Sequence, residues 1–158
     1  IINVLFLTRS GLLDIPILYL SRYITQNKSE YYRLLQHVRE TGEWEEWLLY
    51  MISGVEVTSQ ETLSLIEEIR VMMMKIKNRL KSDHLKIYSQ DLLNNLFRHP
   101  YTRIEYVQNE LGVSRPTATK YLEELAQAGI LSKHKSGRNS YYVNHPLVRL
   151  LSEQPLRI

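Results

Sequence analysis

Apolar residues recur along much of this chain in steps of three and four, the spacing that lays one stripe along an α-helix. The clearest run is Trp47, Met51, Val55, Thr58, Thr62, Leu65, Ile69, Met72, Ile76 and Leu80. It predicts a single helix from about Glu43 to Lys81, roughly 58 Å long if unbroken. Gly54 is the expected break or kink, and Met72-Met73-Met74 reads as adaptable core packing. A chain of 158 residues cannot cover so long a helix by itself, which leaves a homodimer through the long helix, or another partner chain, open.

Shorter helices precede it. The first ends near Ser10, with Gly11 placed for a left-handed cap and Leu12 and Leu13 for the contact that accompanies one. Asp14 precedes a second, with Pro16 in its first turn, where a missing N–H costs nothing, and Ile17, Leu20, Tyr23 and Ile24 at helical spacing. Ser29 is the expected cap of a third, with Tyr32, Leu35 and Val38 on one face and an end near Gly42.

Ser82-Asp83-His84 reads as a linker, dividing the chain into residues 1–82 and 83–158. Beyond it the pattern predicts a helix over Leu85–Arg98 with Ile87, Leu92, Leu93 and Leu96 inward, closed by His99-Pro100. Thr102 with Glu105 three residues on forms a capping-box pattern ahead of Ile104, Val107 and Leu111. Gly112 supplies a tight turn, and Ser114 caps a helix over Arg115–Ala128 with Pro116 in its first turn and Ala118, Leu122 and Leu125 inward. Gly129 ends it. Leu131–Lys135 and Ser140–Val143 then read as strands joined by Ser136-Gly137-Arg138-Asn139. Helix, short helix, turn, helix and hairpin, from Leu85 to Asn144, is the order of a winged helix-turn-helix.

Charge adds to that picture. Residues 1–83 hold 10 basic and 11 acidic side chains, whereas residues 84–158 hold 10 and 6, so the positive excess lies in the C-terminal part. A major groove about 12 Å wide accepts one helix by its N-terminal turns. Ser114, Arg115, Thr117, Lys120 and Tyr121 are the expected DNA-binding residues of that helix, and Lys133, Lys135, Arg138 and Asn139 those of the wing. Duplex DNA is the expected partner. The alternative is a protein-interaction or dimerisation module, since Glu123 and Glu124 dilute the positive face.

Other classes drop out. No apolar run reaches the ~18 residues of a membrane span, and the richest, Ile1–Leu20, is interrupted by Arg9, Gly11, Asp14 and Pro16. With no cysteine there are no disulfides or thiolate metal sites, and a cytoplasmic location is expected. His37, His84, His99, His134 and His145 show no metal-ligand spacing, so no metal site is expected.

The N-terminal half, with Ile1-Ile2-Asn3-Val4-Leu5-Phe6-Leu7 through Leu20-Ser21-Arg22-Tyr23-Ile24, then Tyr31-Tyr32-Arg33-Leu34-Leu35, Val38-Arg39 and Gly42-Glu43-Trp44, resembles the C-terminal half of bacterial Fic-domain proteins. Ile87-Tyr88-Ser89-Gln90-Asp91-Leu92-Leu93 is similar to the subgroup that ends in a winged helix. The resemblance implies an all-α fold: a Fic-type C-terminal helical region followed by a winged helix-turn-helix with a small hairpin wing. It also implies a protein adenylyltransferase, moving AMP from ATP to hydroxyls of a target protein with Mg²⁺.

In that family a loop His-Pro-Phe-x-(Asp/Glu)-Gly-Asn-Gly-Arg supplies the base, the metal ligand and the phosphate cradle. The two His-Pro pairs here continue as Tyr101-Thr102-Arg103 and Leu147-Val148-Arg149, so neither matches. The chain is accordingly expected to be a fragment that begins after the loop, with no catalytic residue or cofactor of its own and ATP and Mg²⁺ belonging to the intact parent. Tyr31 and Tyr32 match paired aromatics on the adenosine side of the family's nucleotide pocket, while Arg39 stands where some relatives place an Asn.

Overall fold

A computed structural model describes residues 2–14, 19–137 and 139–152. In chain order the elements are α1 (Ile2–Arg9), α2 (Leu20–Gln26), α3 (Lys28–Thr41), α4 (Glu45–Asp83), α5 (Gln90–Arg98), β1 (Tyr101–Thr102), α6 (Ile104–Leu111), α7 (Arg115–Gln127), β2 (Ser132–Ser136), β3 (Asn139–Val143) and α8 (His145–Ser152). The protein is mostly helical with one small antiparallel sheet. Contacts divide it into two compact units that meet in sequence at Glu67 and Glu68, within α4.

In the first unit Gly11 ends α1 at φ 70°, and the amides of Leu12 and Leu13 both donate to the Leu7 carbonyl. Pro16 and Ile17 lie outside the described residues, and α2 begins at Leu20. Ser29 is not the cap of α3. That position is Asn27, whose amide group donates back to the Tyr23 carbonyl at 2.9 Å, so a single residue turns the chain from α2 into α3. The inward stripe of α3 is Tyr31, Leu34, Leu35 and Val38 rather than one that starts at Tyr32, which is 62% exposed. Its i, i+3, i+4, i+7 spacing is the full amphipathic pattern, which Tyr32 does not join.

All ten residues of the long stripe are buried or half-buried. Gly54 breaks nothing: α4 passes through it as regular helix. Its role is close approach, because a Cβ there would stand 2.6 Å from Cδ1 of Tyr23 and 3.0 Å from Cδ1 of Leu20. Thr58 donates to the Gly54 carbonyl at 2.7 Å, one turn on. A second face of this part of α4, including Leu48, Leu49, Ile52, Leu63 and Ile66, is exposed.

The second unit has a continuous core of Leu80, Ile87, Leu92, Leu93, Leu96, Val107, Ala118, Leu122, Leu125, Ile130, Leu131 and Tyr142. Every position read as inward in this region is in that core or packed against it, Ile104 and Leu111 included. The last turns of α4 belong here through Met73, Ile76 and Leu80. Ser82 and Asp83 are therefore helix rather than linker.

α5 starts at Gln90, later than the apolar pattern suggests. Ser89 is extended (φ −141°, ψ 158°) and its hydroxyl accepts from the Leu92 amide at 3.0 Å, a side-chain cap that fixes the start. Residues 84–88 instead close a single turn onto the His84 carbonyl. Thr102 is not a cap either. It lies in β1, buried, and donates to Oδ1 of Asn95 at 2.6 Å. Asn95 donates in turn to Glu110, which also accepts from Arg98, so a satisfied polar chain joins β1, α5 and α6. With the Thr102 hydroxyl committed there, the N-cap position of α6 passes to Arg103.

The sheet has the order β1-β3-β2, all antiparallel. The hairpin pairs Ser132 with Val143 through Ser136 with Asn139, a residue off the expected bounds at each strand, and Gly137 makes its turn at φ 57°. β1 and α8 carry no strong sequence signal. Asn144 caps α8 by accepting from the Leu147 amide, and its own amide group donates to the Leu96 carbonyl. No helix among the described residues is long and apolar enough to cross a membrane.

Candidate nucleic-acid interface

The N-terminus of α7 follows from local chemistry. Gly112 takes the left-handed conformation at φ 64° that ends α6, and two residues later Ser114 is extended and caps α7. Its Oγ lies 2.9 Å from the Thr117 hydroxyl and 3.4 Å from the Thr117 amide. Pro116 sits in the first turn. Ala118, Leu122 and Leu125 turn inward and are fully buried, which leaves Lys120 on the opposite face at 100° per residue. Tyr121 is half-buried and packs against the core, so only part of it faces water.

A notch opens beside this turn, lined by Arg103, Ile104, Glu105, Arg115, Asn139 and Ser140. It draws residues from the starts of α6 and α7 and from β3, placing two guanidinium groups with the small polar side chains of the hairpin. Arg103 is held by aromatics. Its guanidinium lies 4.7 Å from the Tyr106 ring and 5.4 Å from the Tyr141 ring, and donates to the Tyr106 hydroxyl at 2.5 Å. That hydrogen bond holds its proton more firmly than usual. Nε of Arg103 is buried with no partner among the described residues. Arg103 and Ser140 were missed in the sequence, since only the fold brings them beside Arg115 and Asn139.

The other expected contacts fare differently. Lys120 and Lys135 are exposed and form no ion pair among the described residues. Lys133 is bound to Glu123 and lies over the Tyr142 ring, so its charge is already partnered within the unit. Arg138 is outside the described residues. The two acids that dilute the positive face are both engaged. Glu123 also accepts from the Tyr142 hydroxyl at 2.7 Å, and Glu124 pairs with Nδ1 of His84 at 2.7 Å. The Lys133 hydrogen bond, then that of Tyr142, keeps the Glu123 carboxyl below its ordinary range, while burial and then Glu123 push the Tyr142 phenol up.

In the first unit Tyr31 is half-buried, 6.2 Å from the Tyr50 ring and edge-on to Tyr32 at 5.5 Å. Tyr32 offers the freer face. Among the described residues no cluster of three or more His, Cys, Asp or Glu could hold a metal ion.

These features define a small helical unit with a three-stranded sheet on one side. Residues 72–147 match the family model for the C-terminal domain of SoFic-like protein adenylyltransferases. The match covers just under half of the chain and agrees with the resemblance of the whole to the C-terminal portion of Fic proteins.

Proposed function

We propose that residues 85–144 are a winged helix-turn-helix that binds duplex DNA, with α7 as the recognition helix and β2–β3 as the wing. The observation that carries the reading is the notch, where Arg103 and Arg115 converge with Asn139 and Ser140 beside the capped start of α7. Such a set suits a backbone phosphate: guanidinium groups pair bidentately with phosphate oxygens, and small hydroxyl and amide groups complete the shell. Lys120 and Lys135 add exposed positive charge to the same elements. Ser114 and Thr117 spend their side chains on the cap, so their part is to hold the turn. In the intact parent, which we read as an ATP- and Mg²⁺-dependent protein adenylyltransferase of the cytoplasm, Tyr32 with Tyr31 would stack on adenine.

A protein-interaction role is the second reading. It is favoured by Glu105 on the rim of the notch and by the partnered charge of Lys133. Fluorescence anisotropy of the chain on labelled duplex at two salt concentrations separates the two. DNA binding requires affinity that falls steeply with salt, as phosphate contacts release counterions. No measurable binding at low salt would put protein interaction first.

A further inference from the structure

Two histidines 11 residues apart in sequence meet at the edge of the sheet. His134 stands in the middle of β2 opposite Tyr141, and His145 is the first residue of α8. Their rings are 5.6 Å apart and inclined at 74°, and their Nε2 atoms are 3.4 Å apart. Both side chains are exposed.

That distance is slack for a direct hydrogen bond, since N–H donors ordinarily reach acceptors within about 3.2 Å. It fits another geometry better. Metal–imidazole bonds of about 2.0–2.1 Å at a tetrahedral angle place two ligand nitrogens about 3.3–3.4 Å apart. We propose that His134 and His145 form a two-histidine site for a divalent transition metal of the Zn²⁺, Ni²⁺ or Cu²⁺ class, for which imidazole is a favoured ligand.

The backbone on both sides is already fixed. β2 is paired along its length with β3. The start of α8 is pinned by Asn144, which accepts from the Leu147 amide and donates to the carbonyls of Pro100, through its backbone N–H, and Leu96. Little ordering is left for the metal to impose. Side-chain alternation sends Lys133 and Lys135 to the sheet face opposite His134, away from the ion. No third protein ligand joins the pair among the described residues, so water completes the shell and the site is open. A bound ion would tie β2 to the start of α8. The sequence could not disclose this pair, because the hairpin and the following turn create the proximity.

The test is calorimetric titration of the untagged 158-residue chain with ZnCl₂ and NiCl₂ in a non-coordinating buffer. One ion should bind per chain. His134→Ala and His145→Ala should each weaken it by roughly tenfold or more, since even outer-shell changes at metal sites cost that much. His99→Ala should change nothing. Substoichiometric Cu²⁺ should broaden the ring signals of His134 and His145 selectively in the NMR spectrum. Because both side chains are exposed, the variants should keep the wild-type circular dichroism. Absence of saturable binding overturns the proposal, and so does binding that survives either substitution.

Discussion

The hydroxyl of Tyr142, 1% exposed on β3, donates to Oε1 of Glu123 on α7 across 2.7 Å, and Lys133 on β2 reaches the same oxygen. One carboxylate thus locks the hairpin onto the helix. Tyr142→Phe should cost about 1.5–3 kcal/mol, the scale of a hydrogen bond to a charged group, measured by urea unfolding at neutral pH. A smaller loss than a surface Tyr→Phe would sink the idea.

The same pair sets a pH dependence. The folded carboxyl of Glu123 lies below its unfolded value, held there first by Lys133 and then by Tyr142. Its contribution is therefore full above the unfolded value and disappears as pH falls through the folded one. The stability advantage of the wild type over Glu123→Gln should be present at neutral pH and shrink in acid. Because Glu123 is partly exposed, solvent screening keeps the effect small. An advantage independent of pH would refute it.

Gly54→Ala should destabilise the protein although alanine is the better helix former by about 1 kcal/mol. The added methyl would meet Cδ1 of Tyr23 at 2.6 Å, and overpacking of that kind costs about 1–3 kcal/mol. In a Tyr23→Leu background the sign should reverse or the loss largely vanish. Thermal unfolding of the four proteins checks it.

Thr102→Asp separates a cap from a buried partner. Aspartate is a good N-cap and would be tolerated if Thr102 capped α6. Facing Oδ1 of Asn95 in a buried site, it sets a carboxylate against an acceptor and should be strongly destabilising. Thr102→Ser, which keeps the donor, should be mild.

On duplex DNA, Arg103→Ala and Arg115→Ala should each weaken binding and reduce the salt slope by about one phosphate contact. Lys133→Ala should do less, because Glu123 already partners that charge. Equal losses for all three would argue for diffuse attraction rather than a shaped notch.

Periodicity disclosed the helices and almost the whole core, because a stripe from Trp47 to Leu80 or the trio Ala118, Leu122 and Leu125 states a buried face directly. Left-handed ends at Gly11, Gly42 and Gly112 were equally legible. What failed was the local reading of small residues. Thr102, Ser29 and Gly54 each have a local reading as cap or break, and tertiary neighbours decide otherwise for Thr102 and Gly54, while Asn27 displaces Ser29. At the candidate interface Arg115 and Asn139 were visible in sequence. Arg103 was not, because its position depends on Tyr106 and Tyr141 folding around it.

Leu80, with no exposed surface, fills the core of the second unit from the penultimate turn of α4. The seam for cutting or grafting this domain therefore falls inside a helix. A separately expressed piece that opens at Asp83 would leave a leucine-sized hole, and large-to-small losses of that kind run to about 2–5 kcal/mol. One that opens near Glu68, ahead of Met73 and Ile76, carries its own plug and should stand alone.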